Sequence, residues 1–170
     1  MSLHGLLSSL PNEIRLLITL FVLTLNIGFF TGLSFVNETT SFKTNGIETQ
    51  YLGNENDEDA EVMQFKKSKK EVLTLIHNHI LSMSIIFLLL GGLLSLTSIN
   101  KKIKKILMIE PFVSIILTFG GIYILWNGVL WFKYIIIVSG IAMTLSFILS
   151  SFFILKESVF KVVGGDSFHD

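Results

Sequence analysis

The chain has 170 residues, of which 51% are hydrophobic and only 15% charged, and its mean hydropathy is +0.68. Soluble domains carry roughly a quarter charged residues, so this chain lacks the side chains to clothe a water-facing surface, and a soluble single domain is excluded. Thirteen Lys and Arg balance thirteen Asp and Glu, without the basic excess of a nucleic-acid-binding protein. The absence of Cys removes disulfides, thiolate catalysis and thiolate metal sites.

A bilayer core about 30 Å thick needs about 20 apolar residues of helix to cross it. Four stretches qualify: 16–36, 80–99, 106–126 and 134–155. They are apolar on every side, as in Ile85-Ile86-Phe87-Leu88-Leu89-Leu90, rather than alternating as barrel strands would. The expected fold is an all-α membrane protein, a four-transmembrane-helix antiparallel bundle forming a single membrane domain over residues 1–170.

Before the first span, Leu3, Leu6, Leu7 and Leu10 recur at helical spacing and suggest a short interfacial helix, a frayed terminus being the alternative. The span itself is longer than the 7–15 apolar residues of a signal peptide and lacks a small-x-small cleavage site, so it is expected to be retained. Gly28 and Gly32 form a GxxxG, a pattern that lets helix backbones approach closely. Asn26 is the amide at mid-depth, expected to hydrogen-bond across to a neighbouring helix.

Residues 37–67 form a long acidic loop. Asn37-Glu38-Thr39 matches a glycosylation acceptor at its start. Glu55, Asp57, Glu58 and Glu61 are candidate cation-contacting residues, without the oxygen spacing of an EF-hand. A solvated loop is the plainer reading. Ser68-Lys69-Lys70-Glu71 is a capping box, in which side chain and backbone satisfy each other's donors at a helix start. No breaker follows, so one helix is expected over 69–99, about 46 Å long. Its first three turns should extend beyond the membrane.

That helix carries His77-Asn78-His79, the one local pattern with possible chemistry, since imidazole suits zinc, copper or haem iron. Residues two apart on a helix differ by about 200°, so His77 and His79 cannot hold one metal together. The helical wheel turns His79 inward with Leu73, Leu75, Ile76 and Ile80, turns Thr74 and Asn78 outward, and leaves His77 at the edge. A haem b or divalent metal would need a second subunit or the loop acids. The plainer reading is an interfacial helix start.

In the third span Glu110 is expected to snorkel and pair with the lysines of 101–105, and Pro111 to end or kink a turn. Gly91, Gly92, Gly120 and Gly121, and the line Ala142, Ser146 and Ser150 in the fourth span, are candidate helix-packing positions. Trp126, Trp131 and Tyr134 suit an interface. The tail 162–170 reads as disordered. The rule that short basic loops stay inside, applied to Lys101-Lys102-Ile103-Lys104-Lys105, places both termini in the cytoplasm and the acidic loop outside.

No enzyme motif is visible. The leading expectation is a non-enzymatic integral membrane protein without a cofactor, an accessory or interaction subunit in contact with the lipid bilayer and with other membrane subunits or copies of itself, and with no nucleic acid. A haem- or metal-binding redox protein using His79 and His77 is the alternative, and a transporter or channel component a weaker third.

Gly46-Ile47, Tyr51-Leu52-Gly53, Lys67-Ser68, Glu71-Val72-Leu73 and His77-Asn78-His79, followed by Pro111-Phe112 and Gly120-Gly121, resemble the pattern of uncharacterised bacterial four-span integral membrane proteins. There a Gly-Ile…Tyr-x-Gly loop precedes a His-x-His helix start, and Gln50 departs from that pattern. The resemblance covers most of residues 46–126. It implies the four-span fold, a bacterial inner (plasma) membrane location, and a loop and histidine segment acting as one unit, and no activity.

Overall fold

The computed structural model describes residues 5–55 and 62–160. Helix α1 (Asn12–Thr40) rises from the lower end of the bundle, and α2 (Thr44–Leu52) lies across the upper end. Helix α3 (Lys69–Ser95) descends. The third span rises as α4 (Lys101–Ile115), a π-helical turn (Ile116–Gly120) and α5 (Gly121–Trp126), and α6 (Phe132–Phe160) descends. Four helices are long and apolar enough to cross a membrane.

Helix α6 is the axis: α1, α3 and α4 all pack on it, and α4 also packs on α3. The centre is Phe147, fully buried. Phe29 of α1 stacks on its ring at 3.9 Å and Phe87 of α3 meets it edge-on at 6.1 Å. Such aromatic pairs contribute about 0.5–1.5 kcal/mol each beyond burial. That matters in lipid, where tails are as apolar as Leu and helix association rests on packing and hydrogen bonds.

The acidic segment is not a loop throughout. Helix α1 continues to Thr40, which places Thr39 of the Asn37-Glu38-Thr39 motif on helix, its hydroxyl donating to Phe35 O at 2.9 Å. The chain then turns through two left-handed residues, Ser41 and Phe42. Helix α2 follows, with Ile47 buried. Glu48 of α2 accepts from Lys133 at the start of α6 at 2.7 Å. Asn54 and Gln64 exchange hydrogen bonds, Lys67 N donates to Tyr51 O, and the indole of Trp126 donates to Lys67 O at 2.8 Å. These bonds fold residues 41–55 and 62–67 into a cap on the upper end. Burial in that cap pushes the Tyr51 phenol up to about 12.

The Lys67–Trp126 bond also sets the height of α3. Its first turn lies level with Trp126, and 27 residues span about 40 Å, close to the full thickness of a bilayer with its headgroups. At that length the helix exceeds the hydrocarbon core of about 30 Å, as a helix extended beyond that core requires. It stops at Ser95 rather than Ile99, where Leu96 and Thr97 turn back on Leu93 and Leu94. Its start carries the capping box: Glu71 N donates to Ser68 Oγ, and Ser68 N donates to the Glu71 carboxylate at 2.8 Å.

The lower end is tied by cations on helix C-termini, where unpaired carbonyls collect. Lys104 donates to Ser95 O and Thr97 O at the end of α3, and Arg15 donates to Ser158 O at the end of α6. In place of a longer interfacial helix, Leu7–Ser9 makes one 3-10 turn. Leu7 is fully buried, and its N–H is bonded to Leu96 O. Leu3 and the tail 162–170 lie outside the described residues.

Candidate functional site

Away from the upper cap and the lower-end ties, two polar features of the helices hold ionisable side chains. The first is the outward face of α3. Thr74, His77, Asn78 and Ser82 share that face and are all exposed, between the exposed apolar residues Leu73, Leu81, Ile85 and Leu88. Ser82 Oγ donates to Asn78 O of its own helix at 2.7 Å. Among the described residues the side chains of His77 and Asn78 have no partner. Counting from Lys69, these four positions lie about 8–20 Å below the level of Trp126.

His79 sits around the helix from this face, on the side of the third span, where its ring lies 4.8 Å from that of Phe119. It is nonetheless exposed rather than sunk into the protein. Its Nδ1 is 2.9 Å from Leu75 O. A carbonyl can only accept, so Nδ1 carries a hydrogen and donates it. Of the loop acids Glu55 accepts from Lys66 N at 3.1 Å, and Asp57, Glu58 and Glu61 lie outside the described residues. Among the described residues no three His, Asp or Glu side chains are grouped to hold a metal ion.

The second feature is a seam between α4 and α6. Glu110 does not pair with a lysine. One carboxylate oxygen accepts from Ser114, one turn along α4, and the other from Ser146 of α6. Both serines are buried. Higher in the seam, Thr118 in the π turn donates to Ser139 Oγ at 2.7 Å, and Ser139 donates on to Ile135 O. The helix runs on through Pro111, which is buried against its neighbours, and the irregularity falls at 116–120 instead. A π turn inserts one residue and re-aims those around it. Here it lies where Thr118 meets Ser139.

The seam was readable in part. Ser146 and Ser150 were singled out as small packing residues, and both are buried against α4's side of α6. Glu110, Ser114 and Thr118 recur at intervals of four on one face of the helix, a spacing that joins them to those serines. Asn26, expected to reach another helix, donates instead to Val22 O of its own at 2.7 Å. Of the glycines, Gly91 faces Met108, and a Cβ on Gly121 would meet Phe132 and Ile136 at 3.0 Å. Gly28, Gly32, Gly92 and Gly120 have nothing within 4 Å of such a Cβ, so they do not pack helices within this chain. Ala142 is half-buried.

Four apolar helices of crossing length, with no strand among the described residues, define a multi-pass, all-α membrane protein. The chain belongs to the Aq_1264_TM family, a transmembrane helical domain, matched over residues 41–163, from the upper cap to the end of α6. No curated protein and no solved structure matches it.

Proposed function

We propose that this protein is a non-enzymatic accessory subunit that docks a transmembrane helix of a partner subunit on the outward face of α3. The observation that carries this reading is the exposed set Thr74, His77, Asn78 and Ser82. Polar side chains at membrane depth normally face a bundle interior or a partner, and this set points away from its own bundle. A partner helix would cover it and supply acceptors for Asn78 and His77. The expected result is a stoichiometric partner after mild detergent extraction, lost when His77 and Asn78 are both replaced by Leu. A monodisperse monomer across several detergents, unaltered by the double replacement, would sink the proposal.

In this reading the protein sits in a bacterial inner membrane with both termini cytoplasmic and the cap outside. The arrangement of Arg15, Lys101, Lys102, Lys104 and Lys105 at one end supports that orientation.

A second reading is favoured by one bond. His79 donates through Nδ1 to Leu75 O, the arrangement that orients a ligating imidazole and leaves Nε2 free for a metal. His79 would hold a haem b iron or a divalent metal with a residue of the partner subunit completing the site, and His77, about 200° around the helix, would serve only a separate one. The purified complex would then show a Soret band or bound metal by elemental analysis, lost in His79→Ala. Intact protein that contains neither and takes up neither removes this reading.

A further inference from the structure

Glu110 lies nine residues along α4 from Lys101, about 14 Å above the lower end and about 24 Å below Trp126, inside the apolar belt. Its carboxyl touches two hydroxyls and, among the described residues, no cation. The charged groups on the surrounding elements are distant or engaged. On α4, Lys104 is turned to Ser95 O and Thr97 O, and Lys101, Lys102 and Lys105 are exposed at the lower end. The sequence of α3 has no ionisable residue between His79 and Ser95, α6 none between Tyr134 and Lys156, and α1 none between Arg15 and Glu38. An isolated carboxylate in such surroundings is costly. The smallest ion that neutralises it is a proton.

Ser114 and Ser146 are buried, whereas Glu110 is half-exposed at the edge of α4, next to the exposed Ile106, Ile109 and Val113. The carboxyl is therefore clasped from the protein side and open from the lipid side. We propose that Glu110, with Ser114 and Ser146, forms an intramembrane proton-binding site reached from the lipid face of α4. With the proton off, both hydroxyls donate to the carboxylate. With the proton on, the carboxyl O–H becomes a donor, and one serine turns back to a carbonyl four residues earlier in its own helix, as Ser139 already does. Loading the site thus reverses the direction of one serine–carboxyl hydrogen bond and adds a bond within that serine's own helix.

A hydrophobic carbodiimide tests the proposal on the full chain in liposomes. Dicyclohexylcarbodiimide reacts with a neutral carboxyl: the acid proton moves to one nitrogen, the oxygen adds to the central carbon, and the O-acylisourea rearranges to an N-acylurea with no leaving group. The expected result is one adduct, mapped to Glu110 by peptide mass spectrometry, absent from Glu110→Gln and unaffected by excess sodium or potassium ions. Removing the hydroxyl donors that favour the charged form, in Ser114→Ala/Ser146→Ala, should speed labelling several-fold. A fixed ionised clamp would not label. Absence of the Glu110 adduct in folded wild-type protein overturns the proposal, and so does protection by sodium ions, which would make the site a metal-ion site. The wild-type mapping stands even if a variant fails to fold.

Discussion

At the scale of residues, Gly46, Ile47, Tyr51 and Gly53 have structural work in the cap. A Cβ on Gly46 would lie 1.9 Å from Thr40 O, and one on Gly53, whose φ is +79°, would lie 2.6 Å from Gln64 O. Gly46→Ala should therefore destabilise the cap by about 1–3 kcal/mol, the usual cost of overpacking a close contact. Faster proteolysis within residues 41–67, with the spans intact, would register it. Tyr51 makes a prediction in pH. Its phenol is held neutral by burial up to about 12 instead of 10. The folded state keeps a proton that the unfolded state loses between those values, so the contribution is intact below pH 10 and disappears as pH rises towards 12. The whole effect is roughly 2–3 kcal/mol. Thermal unfolding in detergent should show this alkaline loss in the wild type and a smaller one in Tyr51→Phe. Equal losses would contradict the burial of the phenol. The sequence marked these positions as a pattern but could not say why they occur, because Thr40, Gln64 and Lys66, which crowd the glycines, are brought there by the tertiary fold.

At the scale of elements, the four spans and the start of α3 were legible because each depends on local chemistry: runs of apolar side chains, and a Ser and a Glu three residues apart. Helix α2 was not. Its nine residues include only Ile47, Tyr51 and Leu52 as large apolar side chains, too few for a visible period, and it is held by α5 and α6 from far along the chain. The height of α3 was also hidden, since a single bond from Trp126 to Lys67, 59 positions apart, sets it. Glu110 was misread for a related reason: its distance from Lys104 along the helix suggested pairing, while its real partner on α6 is 36 residues away. The capping box gives a measurable consequence. Ser68→Ala should cost about 0.5–2 kcal/mol and raise amide exchange across residues 69–77, leaving residues 82–95 protected. Exchange at 69–77 in the wild type as fast as at the exposed Glu55 would show that the cap does not hold the helix.

At the scale of the whole molecule, the short basic loop around Lys101, Lys102, Lys104 and Lys105 lies at the lower end and the α2 cap closes the upper end, so orientation can be read with two cysteines in a chain that has none. Phe65→Cys, on the exposed cap, should react with an impermeant maleimide in intact cells, and Lys102→Cys should react only after lysis. The reverse pattern would invert the topology. The account rests most heavily on the uncovered polar face of α3, and one measurement addresses it directly. A photoreactive side chain at position 78 is compared in native membranes with one at position 116, where Ile116 is 65% exposed beside the exposed Ile109 and Val113 of the third span. Docking of a partner helix predicts a protein crosslink of a single defined mass from position 78 and lipid adducts from position 116. Lipid adducts alone from both positions would show that α3 meets the bilayer, with no partner on its polar face.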